Sequence, residues 1–314
     1  MGGKKYELTD ETKTLADGTV LHCIRAVRDF VLVDGTKVHA GDLGGWVERE
    51  DNLSQDGSAW VGDDAEVCGS AKVENDAWVG GKALVCDRAL IYDNARIYGN
   101  ALVCGNAEVY GKAEVYGKAR VFGRARIYSQ ANVGGESQIS GEALIHGEAS
   151  IFDSACVFGK AEICREALVY GSARVYEKAL VYGSARVFGE AEICGDALVF
   201  GFTQVYEKAR VYGKAATLAP LFMSGGITVW LIANLKNIWA KFASAVLSVI
   251  SFTVVNKYED ARGRGLCLYI RQKMFNEVIQ ESREIWSRTS ELDLSYSMSD
   301  SGRRRSFRMG HRSA

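Results

Sequence analysis

Residues 59–82 read AWVGDD AEVCGS AKVEND AWVGGK, and the same six-residue phrase continues, through AEVYGK, ARVFGR and ALVYGS, to ARVYGK at 209–214. From 59 to 214 there are 26 hexads with no insertion or deletion. Position one is Ala except at Ser137 and Thr203, position three is always Val or Ile, and position five is mostly Gly. Small, variable, branched-aliphatic is the period-2 alternation of a half-buried strand. Val and Ile, stiff at χ1, suit its pleated surface. Gly at position five marks a corner, where the chain needs a φ/ψ or a close approach that a Cβ would spoil. Each hexad is therefore one short strand and one corner. One such unit cannot bury its face alone, so the units must stack.

The number of hexads per coil follows from columns that recur every third hexad: Trp60 with Trp78, Cys68 with Cys86 and Cys104, Tyr98 with Tyr116. Charges alternate at that spacing in Arg174, Glu192 and Arg210. Three hexads to a coil predict a triangular prism of about nine coils, on the order of 40 Å long at ~4.8 Å per coil. A two-hexad spacing is also present, in ALVYGSARV at 167 and 179, and duplication by hexads would produce it without structural meaning. The expected fold class is all-β, a single-stranded parallel β-helix over 53–216, with a β-hairpin cap before it and a helical region after it.

The pattern A-x-[VI]-x-G-x resembles the hexapeptide signature of the left-handed parallel β-helix superfamily of LpxA-like acyltransferases. The entry segment AGDLGGWVEREDNLSQDGSAWVGDDA (40–65) is similar to the start of the YdcK-like proteins, classed with transferases, and of their phage-borne relatives. The resemblance covers about 6–216. It implies left-handed winding, against the right-handed crossover that local physics favours. It also implies a catalytic His, often beside a loop that breaks the hexads. Here no loop breaks 59–214, and His146, in the aromatic position of ALIHGE, is the only histidine of the repeat. His146 is thus the single weak catalytic candidate, and a tolerated substitution accounts for it more simply. The three zinc-binding histidines of the related γ-carbonic anhydrases are absent, and no cofactor or metal site is expected. No GxSxG, Walker A or GxGxxG stands in a suitable context.

Composition narrows the function classes. With 38 Lys and Arg against 39 Asp and Glu, the net charge of −1 gives no global argument for nucleic acid or an anionic surface. The single proline, Pro220, suits uninterrupted strand ladders. The start MGGKKYELTDETK lacks the apolar core of a signal peptide, and with Tyr at its sixth residue falls short of the myristoylation pattern. Eight cysteines without CxxC pairing point to a reducing, cytoplasmic setting. Cys68, Cys86 and Cys104 read as three soft residues packed at a corner; zinc would require a fourth ligand that the sequence does not supply. Flat Thr arrays for ice binding and an acidic surface for DNA mimicry are both missing.

In residues 1–52, Tyr6–Leu15, Val20–Phe30 and Val31–Ala40 read as strands with turns at Asp17-Gly18 and Asp34-Gly35. Their job is to cover the prism's open edge. His22 and His39 on these strands read as structural. Within the repeat, position-four aromatics (Tyr92, Tyr110, Tyr128, Tyr170 and others) should stack along the corners, for stability or for sugars and bases. Position two places Leu90, Leu144, Leu180 and Leu198 on one face with Glu108, Arg126 and Glu162 between them, which reads either as a subunit interface or as an ordinary solvated face. After Lys214 the chain turns apolar. Residues 217–255 are expected to fold over the last coil through Leu221, Phe222, Trp230 and Leu231, or to enter a membrane, Ile238–Val255 having about the minimum length. Lys257–Trp286 reads as an amphipathic helix completing a 217–286 cap or anchor, and 287–314 as a disordered basic tail ending GRRRSFRMGHRSA, whose five arginines could touch nucleic acid or anionic lipid. Three functions remain open. One is a non-catalytic scaffold binding a protein partner or itself through a flat face. The others are an acyltransferase-like enzyme with an inter-subunit site and a membrane-associated structural protein.

Overall fold

The computed structural model describes residues 3–215 together with the backbone of two short strands, Phe222–Met223 and Thr228–Leu231. From Trp60 to Val205 each hexad forms a two-residue strand at positions two and three, followed by a turn at five and six, and the strand of the last hexad lengthens to Arg210–Gly213. Up to the ends of the sheets, strands pair in parallel with those three hexads later: Leu84 opposite Leu102, Leu90 opposite Glu108, Arg96 opposite Glu114. Three parallel sheets result, so the three-hexad column is the coil and the two-hexad spacing has no structural counterpart. The protein is an all-β, roughly nine-turn parallel β-solenoid.

The interior follows from the hexad. Ala at position one and Val or Ile at position three are essentially inaccessible throughout, from Ala59 and Val61 to Ala209 and Val211. Ser137 is tolerated at position one because its Oγ donates to the Gly134 carbonyl at 2.7 Å. Position five lies in the left-handed region in every hexad. Glycines such as Gly117 (φ 70°) alternate there with Asp87 (60°), Arg165 (60°) and Glu177 (60°). Aspartate suits this site for a second reason. Asp63, Asp87, Asp93 and Asp153 each use Oδ2 to accept the N–H of the glycine one coil later, at 2.8, 2.9, 3.2 and 3.0 Å respectively.

The N-terminal segment forms β1 (Tyr6–Thr14), β2 (Val20–Ala26), the small hairpin β3 (Phe30–Val31) with β4 (Lys37–Val38), and β5 (Leu43–Val47). The expected third strand, Val31–Ala40, is in fact that hairpin, turning where Gly35 takes φ 86°. Strands β1, β2 and β5 pair antiparallel, and β5 then joins the solenoid in parallel through Trp46 opposite Glu66. Gly44 and Gly45 are required for this entry, since a Cβ at either would lie 2.6 Å from a backbone carbonyl, of Val61 and Ala65 respectively. Side chains complete the edge of the first coil. The Tyr6 hydroxyl lies 2.7 Å from the Leu53 carbonyl, Lys5 Nζ donates to the Ala59 carbonyl at 2.8 Å, and Asn52 Nδ2 donates to the Ala71 carbonyl at 2.9 Å. These carbonyls have no preceding coil to bind, and burying them unpaired would be costly.

At the other end, strand pairing continues beyond Lys214. Gln204 pairs with Phe222 and Arg210 with Thr228, again three hexads apart. The strand spacing of the hexads thus persists at Phe222–Met223 and Thr228–Leu231, where the sequence no longer spells the repeat. Apart from those two strands, the 217–255 cap or anchor, the 257–286 helix and the 287–314 tail lie outside the described residues. Among the described residues no helix is long and apolar enough to cross a membrane.

Candidate interaction face and the histidine of the repeat

Because all hexads share one backbone, outward chemistry differs mainly at positions two, four and six, with position five adding a side chain where it is not Gly. The eight-stranded sheet displays, at position two, the row Lys72, Leu90, Glu108, Arg126, Leu144, Glu162, Leu180, Leu198, each residue opposite the next. The leucines and charges expected on one face are therefore neighbours along it, and the leucines are half-buried. Glu108 and Arg126 form an ion pair at 3.4 Å, and Arg126 Nη2 donates to the Tyr110 hydroxyl at 3.0 Å. A shallow recess of about 540 Å³ opens here, lined by Asn106, Glu108, Arg124, Arg126, Glu142 and Leu144 with Lys160.

Along one corner of the same face run Tyr92, Tyr110, Tyr128 and His146, stacked face to face with centroids 4.7, 5.0 and 4.7 Å apart and planes within 5°. His146 thus occupies an aromatic rung. Its Nε2 lies 3.0 Å from Glu162 Oε1, and Cys164 stands directly in the next coil. The donor atoms of His146, Glu162 and Cys164 are all within 4.8 Å of one another. Burial raises the Cys164 thiol above its ordinary range. The triad offers a carboxylate-oriented imidazole beside a protonated thiol, and could supply three ligands to an ion. Sequence reasoning treated His146 as isolated. Its neighbours stand one coil further along the chain, a separation that becomes a contact once the three-hexad coil is known.

The other expected features fall as follows. On the ten-stranded sheet, Phe152, Tyr170, Phe188 and Tyr206 form a second stack at 4.9 to 5.1 Å. Cys68, Cys86 and Cys104 do line up along the thirteen-stranded sheet, all as free thiols. Cys86 is driven far above the usual thiol range by its hydrogen bond with Cys68 and by burial, and burial also raises Cys104, so these two remain protonated near neutrality. Cys86, Asp87 and Cys104 bring donor atoms within 4.8 Å, but Asp87 Oδ2 is already engaged by the Gly105 N–H. Arg174, Glu192 and Arg210 form an alternating ion-pair ladder. His22 contacts the Thr9 carbonyl at 3.3 Å and His39 lies 3.5 Å from Asp29, both within the N-terminal segment.

A family model described as the YdcK Beta solenoid repeat matches residues 89–105 and 95–111, two matches starting one hexad apart. No curated protein matches the chain.

Proposed function

We propose that this β-solenoid repeat protein is a non-catalytic scaffold that uses its eight-stranded face to bind another protein surface. The observation that carries this reading is the row from Leu90 to Leu198, in which half-buried leucines are interspersed with charges along one parallel sheet. Interfaces are built in this way, with apolar contacts for affinity and charges for register. The resemblance to phage-borne proteins and the unpaired cysteines belong to the same reading, as a phage- or prophage-borne protein working in a reducing cytoplasm. A second reading, an acyltransferase-like enzyme, is favoured by one observation: the 3.0 Å contact between His146 and Glu162 has the form of a base held by a carboxylate. One experiment separates them. Purified protein should neither bind nor turn over acetyl-CoA or longer acyl-CoA by calorimetry and thiol-release assay. Turnover that disappears in His146→Ala would replace the scaffold with the enzyme.

A further inference from the structure

We propose that the occupant of the eight-stranded face is a second copy of the chain, packed with its solenoid antiparallel about a two-fold axis crossing the face between the Glu108 and Arg126 rungs. This inference rests on the reading of that face as a binding surface and names its partner.

Two flat faces packed about a two-fold axis with their solenoids aligned have only two arrangements, because the axis must lie in the interface plane. An axis along the solenoid sets each rung against itself, placing Glu108 on Glu108, Arg126 on Arg126 and Glu162 on Glu162. Like charges meet in every such case. An axis across the solenoid reverses the order of rungs, and the row then becomes its own complement at one register. With the axis between Glu108 and Arg126, Glu108 faces the second copy's Arg126, Leu90 faces Leu144, and Lys72 faces Glu162. Moving the axis onto Leu144 sets Glu108 against Leu180. Moving it half a rung from there sets Glu108 against Glu162 in one direction and Leu144 against Glu162 in the other.

The flanking rows obey the same axis without having been used to choose it. At position four, Tyr110 meets Tyr128 and Tyr92 meets His146, so the aromatic ladder of one copy lies along that of the other. At position six, Arg88 meets Glu142. With the axis on Leu144, that row would instead set Glu142 on itself and Arg124 against Lys160. Because Glu108 and Arg126 also pair within each chain, the centre becomes a ring of four alternating charges. Six matched rungs at ~4.8 Å span about 29 Å, and five residues of strand and flank about 17 Å, which gives roughly 500 Å² per copy. The total of about 1,000 Å² reaches the lower bound for a specific interface.

The test uses the full chain. Sedimentation equilibrium of the wild type should show a dimer. Glu108→Arg and Arg126→Glu should each weaken its Kd at least about 100-fold while native circular dichroism is retained, and an equimolar mixture of the two variants should dimerise again, since each then supplies the charge the other lacks. Carbodiimide coupling of mixed ¹⁴N and ¹⁵N wild-type protein should yield a Lys72–Glu162 cross-link joining heavy and light chains. Within one chain these residues are five rungs apart, so only the antiparallel register makes that link. A wild-type monomer at high concentration would overturn the second copy as partner, whereas acyl-CoA turnover would overturn the scaffold reading beneath it. A dimer indifferent to both charge reversals, or one lacking the heavy–light link, would overturn the stated face and register.

Discussion

The ten-stranded and eight-stranded faces are built from the same hexad, yet their outward apolar residues are treated differently. On the ten-stranded face Trp60 is only 4% exposed, because Phe30 of the β3–β4 hairpin packs edge-on against it with centroids 5.3 Å apart. Arg96 lies over Trp78 at 5.3 Å and is tied by Asp34 of the same hairpin at 3.5 Å. The chain thus covers these residues with a piece of itself. On the eight-stranded face, no hydrogen bond, ion pair or ring contact among the described residues brings another element over Leu90, Leu144, Leu180 or Leu198. The backbone is the same on both faces, so the contrast lies in the outward side chains and in the hairpin that covers one of them. One face is finished by the N-terminal hairpin, and under the proposed function the other is left open for a partner.

The largest effect should come from what the two faces share. Val115 under the ten-stranded face and Val109 under the eight-stranded face are both fully buried, with no partner for a charge. Val115→Asp and Val109→Asp should each cost several kcal/mol and abolish soluble protein. The outward neighbour change Glu114→Lys should leave circular dichroism and yield unchanged. Equal damage from Val115→Asp and Glu114→Lys would mean that the inside and outside of the hexad have been exchanged.

The contrast itself is sharpened by truncating one residue on each face. Trp60→Ala removes a buried ring on the covered face and should cost about 3–5 kcal/mol in urea unfolding. Leu144→Ala on the open face should cost about 1 kcal/mol in dilute protein, where no second copy is bound. Comparable losses would show that the open face is packed within the monomer after all.

How much of this could be read in advance depended on which residues carried the information. Ala at position one and Val or Ile at position three declared the strand, and repeated columns such as Cys68, Cys86 and Cys104 declared the three-hexad coil. The row from Leu90 to Leu198 was legible for the same reason, being a column once the coil length is known. Winding sense was different, since it entered only through resemblance. The continuation at Phe222 and Thr228 was hidden, because backbone pairing tolerates residues that no longer spell the hexad. Also hidden were the first coil's carbonyl partners, Lys5 and Tyr6, which are remote from those carbonyls in sequence and are brought there only by β1. The surroundings of His146 required three-dimensional adjacency between coils.

Lys5 belongs to the cover of the first coil and gives that cover a pH signature. Its ammonium is buried, and burial, with a smaller contribution from Arg28, lowers its pKa to about 8 from 10.5. The folded state therefore binds this proton less tightly than the unfolded chain. Stability linked to Lys5 should rise as pH climbs from about 8 to 10.5 and be absent below the folded value, an effect of up to about 3 kcal/mol. Lys5→Met should remove that rise; at neutral pH the lost donor to the Ala59 carbonyl, worth about 1–3 kcal/mol, is offset by no longer burying the ammonium. If the difference in stability between the two proteins does not change over this range, Lys5 is not closing the edge as a buried amine.

The corners that join the faces should respond weakly, and in opposite directions at different hexads, if the contrast between faces lies only in outward side chains. At Glu177 an L-residue is held at φ 60°, which costs ~1–2 kcal/mol relative to glycine, offset in part by the greater freedom of glycine in the unfolded chain. Glu177→Gly should therefore stabilise by up to about 1 kcal/mol. Asp87 occupies the same kind of corner at the same φ, but its carboxylate accepts the Gly105 N–H at 2.9 Å. Asp87→Gly relieves the same backbone cost while forfeiting that bond, so it should be neutral or slightly destabilising. Gly117→Ala runs the exchange in reverse: its new Cβ would lie 2.9 Å from the Gly135 carbonyl oxygen of the next coil, and it should lose about 1–2 kcal/mol. Thermal unfolding of the three variants gives the order directly. If Asp87→Gly stabilises as much as Glu177→Gly, the aspartate hydrogen bond between coils contributes nothing, and the recurrence of Asp at these corners reflects only its tolerance of the left-handed region.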